Sequence, residues 1–224
     1  MQSTEEQMRV QACRPKPYEL TAHLIGHTPA ILARIIEPDV NICIWQRPST
    51  DQIERELSSL TPRDLPDVRC HCTLNNFDAA VTSLMASQGL ATDLFKHWRE
   101  DLLNIAHIYF PQTKGRKVTL RLETTDQDGC PRFHTDRTHL RLLCTYLGPG
   151  TEWLRNDQAN REAQLAGAPN SEILLADKPS QLGRFWVGLL KGSAFPGNSL
   201  NGLIHRSPPS QGPGVNRVLF CLDS

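Results

Sequence analysis

Apolar residues recur along this chain with two different periods, and the change falls near residue 115. After a stretch over 1–40 with no clear period, Ile42 and Ile44 alternate with Cys43 and Trp45, which predicts a strand over Asn41–Gln46. Arg47-Pro48-Ser49-Thr50-Asp51 interrupts it. A capping box, Ser49 with Gln52 or Asp51 with Glu54, then opens a helix with apolar face Ile53, Leu57 and Leu60, stopped by Pro62. Phe77, Val81 and Leu84 share one face of a second helix over Phe77–Ser87, capped by Asn75 or Asn76 and ended by Gly89. Leu94, Trp98, Leu102, Ile105 and Tyr109 form one stripe, so a third helix is expected over Thr92–Phe110, capped by Thr92 and stopped by Pro111.

Beyond residue 115 the period becomes two. Val118, Leu120 and Leu122 alternate with Thr119, Arg121 and Glu123; Leu140, Leu142, Cys144 and Tyr146 alternate with Arg141, Leu143, Thr145 and Leu147. Further strands are expected over Glu172–Ala176, Arg184–Lys191, Gly202–Arg206 and Asn216–Leu222. Gly148-Pro149-Gly150, Pro196-Gly197-Asn198 and Ser207–Gly214 supply turns between them. The polar residues 155–171 read as a short helix in a long loop. The expectation is one α+β domain over 1–224. It comprises an N-terminal extension (1–40), a mainly helical support (41–115), and a sandwich, jelly roll or barrel over 116–224 with the helices packed on it.

Composition narrows the function. Twenty-four Lys+Arg balance twenty-four Asp+Glu. A neutral chain lacks the cationic excess that grips nucleic acid or anchors to a membrane surface, so the expected partner is a small molecule or a protein side chain. The longest dense apolar run, Phe185–Leu190, is far too short to span a bilayer. MQSTEEQMRV lacks the features of a secretion signal, which predicts a cytoplasmic protein. Seven scattered cysteines, an odd number, read as free and mostly buried thiols. Cys70-His71-Cys72 is a C-x-C, a poor match to zinc-ribbon spacing, and reads as a strand with both thiols on one face.

One cluster carries chemistry. On extended backbone, residues i and i+2 point the same way, so His134 and Asp136 in Phe133-His134-Thr135-Asp136 present an imidazole beside a carboxylate. His205, on a later strand, is the third candidate. Two histidines and one carboxylate make the facial triad of non-haem Fe(II) oxygenases, which leaves ion positions open. Arg217 follows twelve residues after His205, beyond a Pro/Gly-rich turn, and its guanidinium suits a carboxylate clamp such as 2-oxoglutarate requires. Thr145 and Tyr146 are candidates to add a hydroxyl to that carboxylate. His139 is a rival ligand, disfavoured by its odd separation from His134. Arg141 is a rival clamp, with an ion pair to Glu123 or Glu152 as its ordinary reading. Trp153, Phe185 and Trp186 read as core or as a substrate mouth, and Lys191 as a solvated strand end.

At these residues the sequence resembles a bacterial family catalogued as domain of unknown function 1826. The matching stretches are NICIWQRP (41–48), CPRFHTDRTHLRLLCTYLGPGTEWL (130–154), LLKGSAFPGN (189–198), GLIHRSPP (202–209) and RVLFCLD (217–223). The family brings no established activity. Its members are similar in appearing near zinc-homeostasis genes, which implies a zinc-linked role as one possibility. The chain also resembles, over short matches, the 2-oxoglutarate/Fe(II) dioxygenases of the double-stranded β-helix (cupin-like) fold. That resemblance implies His134, Asp136 and His205 as iron ligands, Arg217 as the oxoglutarate clamp, and Gly150-Thr151-Glu152 as the turn after the strand that follows His-x-Asp. The readings to separate are an Fe(II)/2-oxoglutarate oxygenase, a divalent-metal (zinc) protein without oxygenase activity, and an interaction module on an inherited barrel.

Overall fold

The computed structural model describes residues 22–58, 60, 68–90, 93–125, 130–209 and 217–224. Its strands are β1 (Ala22–Gly26), β2 (Val40–Trp45), β3 (Val68–Cys72), β4 (Val118–Thr125), β5 (Leu140–Leu147), β6 (Glu152–Trp153), β7 (Ser180–Gln181), β8 (Val187–Lys191), β9 (His205–Arg206) and β10 (Arg217–Asp223). Its α-helices are α1 (Asp51–Ser58), α2 (Phe77–Ser87), α3 (Lys96–Tyr109), α4 (Arg161–Leu165) and α5 (Asn170–Ile173). Seven strands form a sheet in the order β1-β2-β8-β5-β10-β4-β3, and β7-β6-β9 form a smaller one. Only β1 and β2 pair in parallel within the large sheet.

The alternation read from the sequence sorts β5 between two layers. Leu140, Leu142, Cys144 and Tyr146 join one core cluster with Phe77, Val81, Trp98, Leu102, Ile105 and Tyr109 of α2 and α3. Leu143 joins another, with Ile42, Ile44, Leu190 and Leu219 of the large sheet and Trp153 of the small one. A strand buried on both faces needs apolar or partnered residues at every position, and β5 shows buried residues on both.

Residues 22–40, where the periodicity predicts no element, supply β1 and a 3-10 segment over Pro29–Ile36 whose Leu32 and Ile35 are buried. The first half thus contributes β1, β2 and β3 to the large sheet. The strand expected over Glu172–Ala176 is instead the helical turn α5. Asn170, at its start, holds the Phe133 N–H and the Pro131 carbonyl, and only Leu174 makes a single bridge, to Ala159. Helix α1 begins after Thr50, whose carbonyl accepts the Glu54 N–H. Asn76 precedes α2 but spends its side-chain oxygen on the Thr73 N–H and hydroxyl instead of capping it. Gly89, at φ 72°, ends α2 as expected. Thr92 and Pro62 lie outside the described residues. The first N–H groups of α3 are capped from a distance: the Glu56 carboxylate of α1 accepts from His97 N and Trp98 N at 3.0 and 2.8 Å.

Gly150 shows where the segments flanking β6 and β7 of the small sheet leave no room. A Cβ there would lie 1.9 Å from the Leu182 carbonyl oxygen. Gly150→Ala is therefore expected to cost about 1–3 kcal/mol, read as a lower melting temperature. Among the described residues, no helix is long and apolar enough to cross a membrane.

Candidate metal centre

The segment carrying His134 and Asp136 is extended but is not a regular strand. It is tied to the small sheet by one reciprocal pair of backbone bonds, His134 N to His205 O and His205 N to His134 O, each 3.0 Å. That antiparallel bridge brings the two imidazoles side by side across it, tilted by 47° with ring centroids 4.6 Å apart. Phe133 plugs the segment into a pocket of Leu154, Ile173 and Ile204. The Asp136 carbonyl accepts from Ser193 N (2.7 Å) and Ser193 Oγ (3.0 Å), which fixes the backbone at the carboxylate. One ligand atom each from His134, Asp136 and His205 then lie within 4.8 Å of one another, the one such group of three among the described residues.

The histidine tautomers follow from what the other ring nitrogens touch. His134 Nδ1 lies 2.8 Å from the Arg132 carbonyl and His205 Nδ1 lies 3.2 Å from the Leu203 carbonyl. A carbonyl only accepts, so each Nδ1 carries a proton, and in the neutral ring Nε2 is the nitrogen left with a lone pair. His205 Nε2 lies 3.1 Å and His134 Nε2 3.6 Å from the Asp136 carboxylate oxygens. Two lone pairs facing a carboxylate repel unless a proton or a cation lies among them. Backbone-oriented histidines beside a carboxylate are what a divalent ion requires, and these three residues fit one. Hydrogen bonding to Asp136 raises the His134 pKa against the effect of burial. Burial opposes ionisation of Asp136, but His205, His134 and Arg141 outweigh it and hold the carboxyl well below the usual range.

His134, His205 and Arg217 line one cavity of about 360 Å³, together with Arg121, Arg141 and Thr151. Arg217, at the start of β10, is buried. It donates from Nε to the Pro149 carbonyl (2.9 Å) and from Nη2 to Thr151 Oγ1 (2.8 Å). Neither acceptor is charged, and burial lowers its pKa to about 10 against the weaker pull of Glu123 and Cys221. A buried guanidinium held in place by neutral oxygens suits an anionic ligand. Thr151 was not singled out from the sequence; its place in the Gly150-Thr151-Glu152 turn was the available signal.

The two hydroxyl candidates part company. Thr145 stands opposite Leu219 on the cavity side of β5, although Leu143 rather than Thr145 lines the cavity. Tyr146 faces the helices: it is fully buried and donates to Asp101 Oδ2 of α3 at 2.5 Å. It cannot reach a ligand on the opposite face, which corrects its assignment to the oxoglutarate carboxylate. Neighbours on a strand point to opposite faces, so the alternation alone excluded one of the pair. Tyr146→Phe is expected to lower the melting temperature, because it strips a donor from a carboxylate shared with Arg47, and to leave 2-oxoglutarate affinity unchanged by calorimetry.

Arg141 pairs with Asp136 and Asp223, not with Glu123 or Glu152. Glu152 pairs with Arg206. His139 is buried and stacks on Phe195 at 4.7 Å. Trp153 and Phe185 are buried in the two cores and Trp186 packs against one of them. Lys191 is buried, its Nζ on the Glu37 carbonyl at 2.5 Å, and is no solvated strand end. Cys70 and Cys72 lie on β3 with His71 exposed between them.

The sequence model of the family described as "Protein of unknown function (DUF1826)" matches residues 26–223. No curated protein matches. Among solved structures, the chain is similar to dioxygenase for auxin oxidation 1 from Arabidopsis thaliana, solved with 2-oxoglutarate. Identity is 9%, coverage 91% of both chains, and the TM-score 0.52. It is also similar to the rice dioxygenase for auxin oxidation (12% identity, 91% and 82% covered, TM-score 0.46). A third is a Pseudomonas putida prolyl-4-hydroxylase (10%, 87% and 96%, 0.40). At such identity the Arabidopsis comparison shows a shared fold and does not transfer its chemistry.

Proposed function

Given that this chain belongs to the DUF1826 family, we propose that it is an Fe(II)- and 2-oxoglutarate-dependent oxygenase that hydroxylates a small molecule or a protein side chain. The observation that carries this reading is the pair of imidazoles whose Nδ1 protons are spent on backbone carbonyls, leaving both Nε2 atoms aimed at one carboxylate. His134, Asp136 and His205 would hold the ion. When bound, iron with 2-oxoglutarate supplies O₂-dependent oxidation of a C–H bond, with release of succinate and CO₂. The rest of the work falls to the protein. Arg217, braced by Thr151 and Pro149, binds and orients the far carboxylate of the co-substrate. Leu143 and Leu219 give the cavity an apolar wall that limits water beside the reacting centre.

Anaerobic titration with Fe(II) and then 2-oxoglutarate tests the proposal. A visible charge-transfer band, followed by succinate on admission of air, is the expected result. Stoichiometric zinc in protein taken straight from cells, with no effect of 2-oxoglutarate, would instead select the zinc-binding reading, which the same nitrogen and oxygen donors also serve.

Metal loading should depend on pH. The native His134 stays protonated to higher pH than a free histidine, because of Asp136. An ion must displace that proton, so affinity is expected to rise with pH through and above the ordinary histidine range, with protons released on binding. Isothermal titration in buffers of different ionisation enthalpy measures the release.

A further inference from the structure

Asp136 sits on a segment with no ladder of its own, and its carboxylate is flanked by both imidazoles and by Arg141. Its Oδ2 lies 2.6 Å from Arg141 Nη1. Arg141 is itself aimed by a second carboxylate: Nε and Nη2 make a fork on the two oxygens of Asp223, at 2.5 and 3.0 Å. The fork follows from register, since Arg141 on β5 and Asp223 on β10 are directly paired across the ladder. Asp223 is held in turn by Arg121 Nη2 at 3.2 Å, and Arg121 Nη1 holds Glu123 at 3.1 Å. Charges therefore alternate along the inner face of the large sheet, Glu123, Arg121, Asp223, Arg141, Asp136, and the line ends at the two imidazoles.

From this geometry we infer that Arg141 and Asp223 form a positioning pair that sets the orientation of the Asp136 carboxylate for the metal. The inference rests on the metal reading of the His134, Asp136 and His205 cluster and adds to it the source of its rigidity. Two of Arg141's three nitrogens are committed to Asp223, so the plane of the guanidinium is fixed by the sheet. The remaining nitrogen lies against one Asp136 oxygen as a close charge contact, and that buried oxygen has no hydrogen-bond partner of its own, which leaves its lone pairs for an ion. Asp136 is thereby kept from rotating away from His134 and His205. A lysine cannot do this, because a single ammonium has no planar fork to span both carboxylates while keeping their directions.

The pair also sets a sign. Asp223 shares both Arg141 and Arg121, and so limits the hold of Arg141 on Asp136. Removing the Asp223 charge frees Arg141 to compete for Asp136, and it takes a negative charge away from a cation site. Both effects weaken metal binding.

Arg141→Lys keeps the charge and removes the fork, and Asp223→Asn keeps the shape and removes the charge. With Co(II) as the probe, each is expected to lower affinity about 10–100-fold, the range for loss of a supporting contact to a metal ligand. Each should also change the visible d–d absorption of the bound cobalt. The melting temperature of the metal-free protein is recorded alongside, because a merely structural pair would lower it while leaving the cobalt spectrum and affinity of the folded fraction unchanged. If Arg141→Lys does not fold, Asp223→Asn, which keeps the guanidinium, is decisive. Wild-type affinity and spectrum in either folded variant overturn the positioning role. A wild-type protein that takes up no Co(II) overturns the metal reading itself, and this pair's role with it.

Discussion

His205→Ala is expected to abolish stoichiometric metal uptake and leave a folded protein. The imidazole is one of the three side-chain donors that converge here among the described residues, so its loss removes a third of that donor set. The effect should exceed the roughly 10–100-fold that loss of a supporting contact typically causes. The fold should survive, because the bridge that joins residue 205 to residue 134 is made by backbone atoms, which alanine retains. The strand itself is held by β6, through the Glu152–Arg206 and Trp153–His205 pairs. Equilibrium dialysis with metal analysis, beside a thermal melt, reads both halves of the prediction. His139→Ala is the control: that ring is committed to Phe195 in a buried stack, so its loss should destabilise the protein and spare the metal. One full equivalent of tightly held ion in folded His205→Ala would remove the centre from this location.

Which features could be read in advance follows from how local their causes are. The i, i+2 relation of His134 and Asp136 is local, and extended backbone is enough to set the two side chains together. The length of α2 is local as well, because Gly89 and the Phe77, Val81, Leu84 face mark it. The convergence of His205 on that pair depends on a bridge between segments about seventy residues apart, which periodicity does not encode. The partners of Arg141 were missed for the same reason. Cross-strand register chose Asp223 over Glu123 and Glu152, and register between β5 and β10 is set by the whole sheet. Tyr146 is different, since its exclusion from the cavity was already implied by the alternation that put it beside Cys144 and Leu142. At α5, Ile173 and Leu174 satisfy a strand pattern, yet the side chain of Asn170 binds the backbone at Pro131 and Phe133 and the chain turns there instead. Glu56 capping α3 from another helix is likewise a tertiary contact that no local capping pattern predicts.

Arg217→Met should separate binding from stability in opposite directions. In the ligand-free protein the guanidinium is buried against two neutral oxygens, and burial holds its pKa at about 10, below its ordinary value. A cation whose pKa is lower in the folded state opposes folding at every pH below about 10, and that opposition fades as pH rises from there toward the unfolded value. Methionine fills similar space without a charge to desolvate, so the ligand-free variant is expected to melt no lower than wild type despite losing two hydrogen bonds. Binding of 2-oxoglutarate should move the other way. Removing one partner of a buried, hydrogen-bonded charge pair costs about 2–5 kcal/mol, or roughly 30-fold and upward in affinity. Metal uptake should stay as in wild type, because Arg217 touches none of the three donors. Calorimetric titration of 2-oxoglutarate into the metal-loaded variant, beside melts with and without the co-substrate, measures all three quantities. A clamp elsewhere in the cavity would show itself as undiminished 2-oxoglutarate affinity. A ligand-free variant that melts far below wild type would make Arg217 a structural brace for the Gly150-Thr151 turn. The expected combination, an unliganded protein that tolerates the loss and a co-substrate that does not, is the behaviour of a residue kept for its ligand at the expense of the fold.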